Sequence, residues 1–133
     1  MKFNIDNIHI WLKRNHECLT IDFLPNKVNV ITGASNTGKT SILKIIDYCL
    51  FAKNNDIPDD VNENAFAYGL SITINDKNIL IIRETNGEKG KVSQKYIFLD
   101  EIDRFPEYIQ PEIFGNYAIP ERNIKQFLEK EAH

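Results

Sequence analysis

Residues 33 to 40 read Gly33-Ala34-Ser35-Asn36-Thr37-Gly38-Lys39-Thr40, a full G-x-x-x-x-G-K-[ST] loop, and Ser41 follows it. Those residue types at that spacing suit one chemistry, the holding of a nucleoside triphosphate with its Mg²⁺. The glycines let backbone N–H groups wrap closely around phosphate oxygens. Lys39 brings a positive charge to the β- and γ-phosphates, and Thr40 offers a hydroxyl to the metal. Gly33 to Ser41 are therefore the predicted phosphate-contacting set, with Thr40 as the predicted metal ligand.

Such a loop works only when a strand delivers it and a helix leaves it. Upstream, Lys27-Val28-Asn29-Val30-Ile31-Thr32 has the β-branched composition of a buried strand. Downstream, Ile42, Leu43, Ile45, Ile46, Cys49 and Leu50 recur at helical spacing, with Lys44, Asp47 and Lys53 on the other side. Strand, loop and helix in that order aim a helix N-terminus, with its free N–H groups and positive dipole end, at an anion.

The rest of the chain reads as one domain, residues 1–133, large enough to bury its own core. Hydrophobic residues make up 42% and charged residues 26%, the balance of a soluble globular chain, and the net charge of −3 gives no global attraction to nucleic acid. No apolar leader opens the chain and no run is long enough to cross a bilayer, so a cytoplasmic location without membrane contact is expected. Cys18 and Cys49 are too few and too isolated to suggest zinc, and Cys49 falls on the apolar face of the helix after the loop. His9 and His16 lack a cysteine to complete a metal set and are read as strand and turn residues.

Phe3 to Leu12 suggests an opening strand with an irregularity near Asp6-Asn7, and Leu19 to Phe23 alternates as a half-exposed antiparallel strand. Residues Lys53 to Asn64 are polar and acidic and are expected to form a mobile surface loop. A hairpin should follow, Ala67 to Ile74 and Ile79 to Arg83 around a turn at Asn75-Asp76-Lys77-Asn78. Asn86 to Gly90 reads as a turn before a strand through Lys95 to Leu99, and a last helix should start at Pro120, carrying Ile124, Phe127 and Leu128 as an apolar stripe.

The stretch from Ile21-Asp22-Phe23 through Lys27 to Gly33, Gly38-Lys39-Thr40-Ser41-Ile42-Leu43 and Ile46-Asp47-Tyr48-Cys49-Leu50 resembles the N-terminal lobe of Rad50/SMC-like ATPases. The resemblance implies an α/β fold: a P-loop core of strand, loop and helix, flanked by the mainly antiparallel sheet of an ABC-type head. It implies ATP and Mg²⁺ as ligands, and head engagement driven by ATP in the service of DNA maintenance or defence. The partner it implies is a C-terminal ATPase lobe or second head, with DNA reached through the assembled complex. Lys13 and Arg14 occupy the place where such heads often contact nucleotide. A glutamine that senses Mg²⁺ and water would be Gln94, Gln110 or Gln126, with Gln110 best placed. No Ser-Gly-Gly signature, switch histidine or coiled-coil heptad occurs in these residues. The resemblance therefore implies half of an ATP site, with little turnover by itself.

Two other readings stay open on the residues. Tyr96-Ile97-Phe98-Leu99-Asp100-Glu101 has the form of a Walker B strand, whose Asp100 would hold Mg²⁺ and whose Glu101 would polarise water, making a small self-sufficient AAA-type ATPase. Against it, the preceding segment is a turn-rich hairpin rather than the helical crossover that a parallel sheet needs. The third reading is a nucleotide-gated interaction module that binds ATP without cleaving it.

Overall fold

A computed structural model describes residues 4–22, 36–88, 90–100, 106 and 108–131. The backbone builds strands β1 (Asn4–Leu12) and β2 (Cys18–Asp22), helices α1 (Asn36–Cys49) and α2 (Asp59–Asn62), and strands β3 (Ala65–Ile74), β4 (Lys77–Glu84) and β5 (Tyr96–Leu99). Helices α3 (Ile113–Asn116) and α4 (Glu121–Glu131) close the order. The strands form one sheet, β2-β1-β3-β4-β5, and every neighbouring pair is antiparallel. This is the α/β arrangement with an antiparallel sheet that the sequence suggests. The predicted strand before the phosphate loop, residues 27–32, lies outside the described residues.

The irregularity expected near Asp6 is a bulge. Ile5 faces Ile72 and Asn7 faces Ser71 across β3, so Asp6 is the extra residue on β1. The β3–β4 hairpin turns more tightly than the sequence suggests, because Lys77 and Asn78 already pair in β4. Only Asn75 and Asp76 make the turn, both left-handed at φ 51° and 63°, a two-residue geometry whose twist matches the strands and which Asn and Asp tolerate.

Central strand β3 is buried almost throughout because both faces of the sheet are covered. On one face Ile8, Ile10, Tyr68, Leu70, Ile72, Ile79 and Ile81 meet Ile42, Ile45, Ile46 and Cys49 of α1 and Ile124 and Leu128 of α4. On the other, Trp11, Phe66, Leu80, Ile82 and Ile97 meet Ile109 and Phe114, the latter from α3. A Cβ placed on Gly69 would stand 2.6 Å from Trp11 Cζ3, so the absent side chain is what lets the indole lie on the sheet. Leu43, counted from its spacing with the apolar stripe of α1, is 57% exposed and belongs to the outer face.

The segment from Lys53 to Asn64 differs most from expectation. Its composition is polar, yet Ile57 is fully buried and joins the main core, and α2 forms within it. Two amides explain why polar chain packs here. Asn55 Nδ2 donates to Asn62 Oδ1 (3.2 Å), and that same oxygen accepts from the Tyr68 hydroxyl (2.9 Å) and the Thr85 hydroxyl (3.1 Å). Asn55 Oδ1 takes the Ile57 N–H at 3.1 Å. Asparagine, read in sequence as a loop former, here supplies the internal hydrogen bonds that a buried turn requires.

Replacing Ile57 by Ala should therefore cost about 2–4 kcal/mol, the range for emptying a buried aliphatic position. Chemical denaturation of the variant beside the unmodified chain measures it. A loss below about 0.5 kcal/mol would mean that residues 53–64 do not pack as described.

Candidate nucleotide site

Asn36-Thr37-Gly38-Lys39-Thr40 form the first turn and a half of α1. The leading N–H groups of a helix have no intrahelical acceptor, so this backbone offers donors and a positive dipole end at the place where the loop motif needs them. Gly33, Ala34 and Ser35 lie outside the described residues, and Ser41 is half-buried at the next position of the helix. The residue types at this helix start suit a triphosphate with Mg²⁺: consecutive helix-start amides, Lys39 for charge and Thr40 for a hydroxyl.

The far end of α1 is held by a group that sequence reading missed. Arg83 of β4 is fully buried and crosses to the helix, where its Nη1 donates to the carbonyls of Tyr48 and Ala52, both at 2.8 Å. Its Nε donates to Ser93 O at 2.9 Å. The guanidinium lies between two rings, 4.2 Å from the Tyr48 centroid and 4.9 Å from that of Tyr96. The Tyr48 hydroxyl donates to Glu84 O (2.6 Å) and accepts from the Ser93 N–H (3.2 Å). Phe51, left-handed at φ 72°, ends the helix just beyond. The signal in sequence was a lone charge in the run Ile79-Leu80-Ile81-Ile82-Arg83, which alternation alone assigns to a strand end.

The remaining candidates are scattered. Asp100 is exposed just past β5, a strand antiparallel to β4 at the end of the sheet, and Glu101 lies outside the described residues. Gln94, Gln110 and Gln126 are all exposed, Gln110 beside the buried Ile109. Lys13 and Arg14 are exposed in the β1–β2 turn, where the Lys13 N–H donates to Asn64 O at 2.9 Å. His16 lies in the same turn and, with Asn15, Glu17, Cys18, Thr20 and Tyr108, lines an open cleft of about 650 Å³.

Burial pushes the Cys49 thiol far up, which removes it as a nucleophile or metal ligand. No group of three or more metal-ligating side chains occurs among the described residues. Nor is any helix among them long and apolar enough to cross a membrane. His9, buried in β1, has each ring nitrogen on a hydroxyl, Thr20 Oγ1 at 3.0 Å and Ser71 Oγ at 2.6 Å.

A family model described as an AAA domain matches residues 2–131. The chain belongs to that family, as an N-terminal lobe of the SMC- and Rad50-like, ABC-type P-loop ATPases. ATP and Mg²⁺ are the nucleotide and metal used generally in this class. Among curated proteins, the DNA replication and repair protein RecF of Clostridium beijerinckii is 37% identical over 94 residues, 65% of this chain and 25% of that protein. The protein of the same name from Clostridium acetobutylicum is 38% identical over 93 residues, again 65% of this chain and 25% of its own length. The chain thus spans about a quarter of the length of the curated relatives it matches. No solved structure matches it.

Burial lowers the His9 pKa from 6.5 to about 4. The unfolded chain takes up this proton below pH 6.5 while the fold resists it, so stability is complete above that pH. It should fall by roughly 3 kcal/mol as pH drops towards 4. Denaturation of the unmodified chain and of His9→Gln across that range checks this. Equal slopes in the two would show that His9 does not carry the effect.

Proposed function

We propose that this chain binds Mg-ATP as the Walker A lobe of a Rad50/SMC-like ATPase head and hydrolyses little ATP by itself. The observation that carries the reading is the position of Asn36 to Thr40 as the opening of α1, a helix held at its other end by a buried arginine. Gly33 to Ser41 would surround the phosphates, with Lys39 compensating charge on the β- and γ-phosphates and the Thr40 hydroxyl completing the metal's shell. Bound Mg²⁺ would neutralise charge on the phosphates. Lys13 and Arg14 stand as further candidates for nucleotide contact, and Gln110 for sensing the metal.

Hydrolysis is assigned to the partnered state. Asp100 and Glu101 are the acidic pair in this chain that resembles a Walker B, and the antiparallel setting of β5 at the sheet's end weighs against that role, since such a strand belongs in a buried parallel sheet. A C-terminal lobe or second head would bring the missing carboxylates and signature residues. The biological setting we infer is DNA maintenance or defence, supported by the names of the two Clostridium relatives, with DNA met by the assembled complex.

Calorimetric titration with Mg-ATP is the direct test. Lys39→Ala should weaken binding at least about tenfold, the loss expected for one charge-assisted contact of about 1.5–3 kcal/mol, with the fold retained. Unchanged affinity would remove the loop from the site. Steady-state turnover by the chain alone should be negligible and unaltered by Glu101→Gln. Turnover abolished by both changes would instead make Asp100 and Glu101 catalytic.

A further inference from the structure

Arg83 is an expensive residue to bury. Desolvating a guanidinium is costly, and well-packed apolar side chains of similar volume are often as stabilising in such places. What an arginine provides that Met or Leu cannot is a rigid fork that fixes several acceptors relative to one another. Here the fork ties its own strand to two other stretches of chain. Nη1 holds Tyr48 O in the last turn of α1 and Ala52 O just beyond that helix, and Nε holds Ser93 O in the link between β4 and β5. Tyr48 returns the connection through its hydroxyl, bonded to Glu84 O and to the Ser93 N–H. The Ser93 hydroxyl closes the ring on Glu84 Oε1 at 2.9 Å, and Tyr96, whose ring centroid lies 4.9 Å from the Arg83 guanidinium, reaches Glu121 in the first turn of α4 at 3.4 Å.

The fork grips α1 at the end opposite to its phosphate-facing amides. A 14-residue helix is about 20 Å long, so tilting it by ~5° about a pivot at Tyr48 carries its first turn through roughly 2 Å. That is several times the tolerance of about 0.5 Å within which a preorganised site must be held. The charge also sits on the negative end of the same helix dipole whose positive end would meet the phosphates. Apolar packing alone, which is non-directional, leaves such a tilt weakly opposed.

We propose that Arg83, with Tyr48, is a positioning residue for the nucleotide site. It fixes the axis of α1, and thereby the aim of the amides of Asn36 to Thr40, and it makes residues 91–95 the place where occupation of that site is felt. This rests on the nucleotide reading above. The coupling runs from directional bonds at the C-terminal end of α1 along one rigid helix to its leading amides.

The test uses the full chain and two readouts. The first is amide hydrogen exchange at residues 91–95 of the unmodified protein, with and without saturating Mg-ATP. Exchange there should slow severalfold on binding, and Tyr48→Phe, which keeps the ring but loses both hydroxyl bonds, should abolish the response. The second is Mg-ATP affinity of Arg83→Lys, measured well below its melting temperature. Charge is kept but the fork is lost, so affinity should fall about tenfold in a chain that is still folded. A purely structural role would lower the melting temperature and leave affinity where it was. Unaltered exchange at 91–95 on binding, or an unchanged affinity in folded Arg83→Lys, overturns the inference while leaving the nucleotide reading intact. If Arg83→Lys does not fold, the exchange result in the unmodified chain decides alone. Absence of Mg-ATP binding by the unmodified chain overturns both.

Discussion

The contact on which the architecture turns is the seat of the Arg83 guanidinium between the rings of Tyr48 and Tyr96, with three backbone carbonyls as its acceptors. A helix laid on a sheet by apolar contact alone can slide and rotate, since burial of Ile42, Ile45 and Ile46 depends on area rather than direction. Directional bonds at one end remove that freedom. One of the carbonyls served, that of Tyr48, belongs to the last turn of α1, whose carbonyls lack intrahelical partners, so the arginine caps α1 while attaching it. Its charge is balanced by the helix end and by two ring faces.

A second polar centre stabilises the adjoining region by a different device. Asn62 gathers three donors on one oxygen, from Asn55, Tyr68 and Thr85, and all four residues are buried. Its Nδ2 is the buried side-chain atom that lacks a partner among the described residues. Three bonds to one acceptor at the expense of a lone donor give this corner a single good arrangement. They also explain why α2, only four residues long, persists at all. Its stability comes from what Asn55 and Asn62 tie together, since four residues of helix have almost none of their own.

Most of the framework was legible because periodicity speaks directly about faces. The Asp6 irregularity, the half-exposed antiparallel pairing of Leu19 to Asp22, the hairpin and the tail helix with Ile124 and Leu128 inward all follow from alternation or helical spacing. The phosphate motif was legible as chemistry, and the start of α1 coincides with it, while residues 33–35 fall outside the described residues. What sequence concealed was polar chain in apolar places. Arg83 reads as the end of a strand, and Asn55 and Asn62 read as loop. Their burial depends on partners such as Tyr48 and Thr85 that only the fold brings near. Leu43 is the opposite case, an apolar residue inside a helical stripe that the crossing of α1 over the sheet leaves outside.

The burial of Cys49 has a consequence beyond packing. Its thiol is fully enclosed between α1 and the sheet, and burial holds it in the unreactive protonated form, whereas Cys18 on β2 is half-exposed. Attack on Cys49 by a thiol reagent therefore has to wait until the helix lifts from the strands. The molecule carries two chemical clocks of its own. Cys18 runs at the rate of surface encounter, and Cys49 runs at the rate at which the helix–sheet interface breathes.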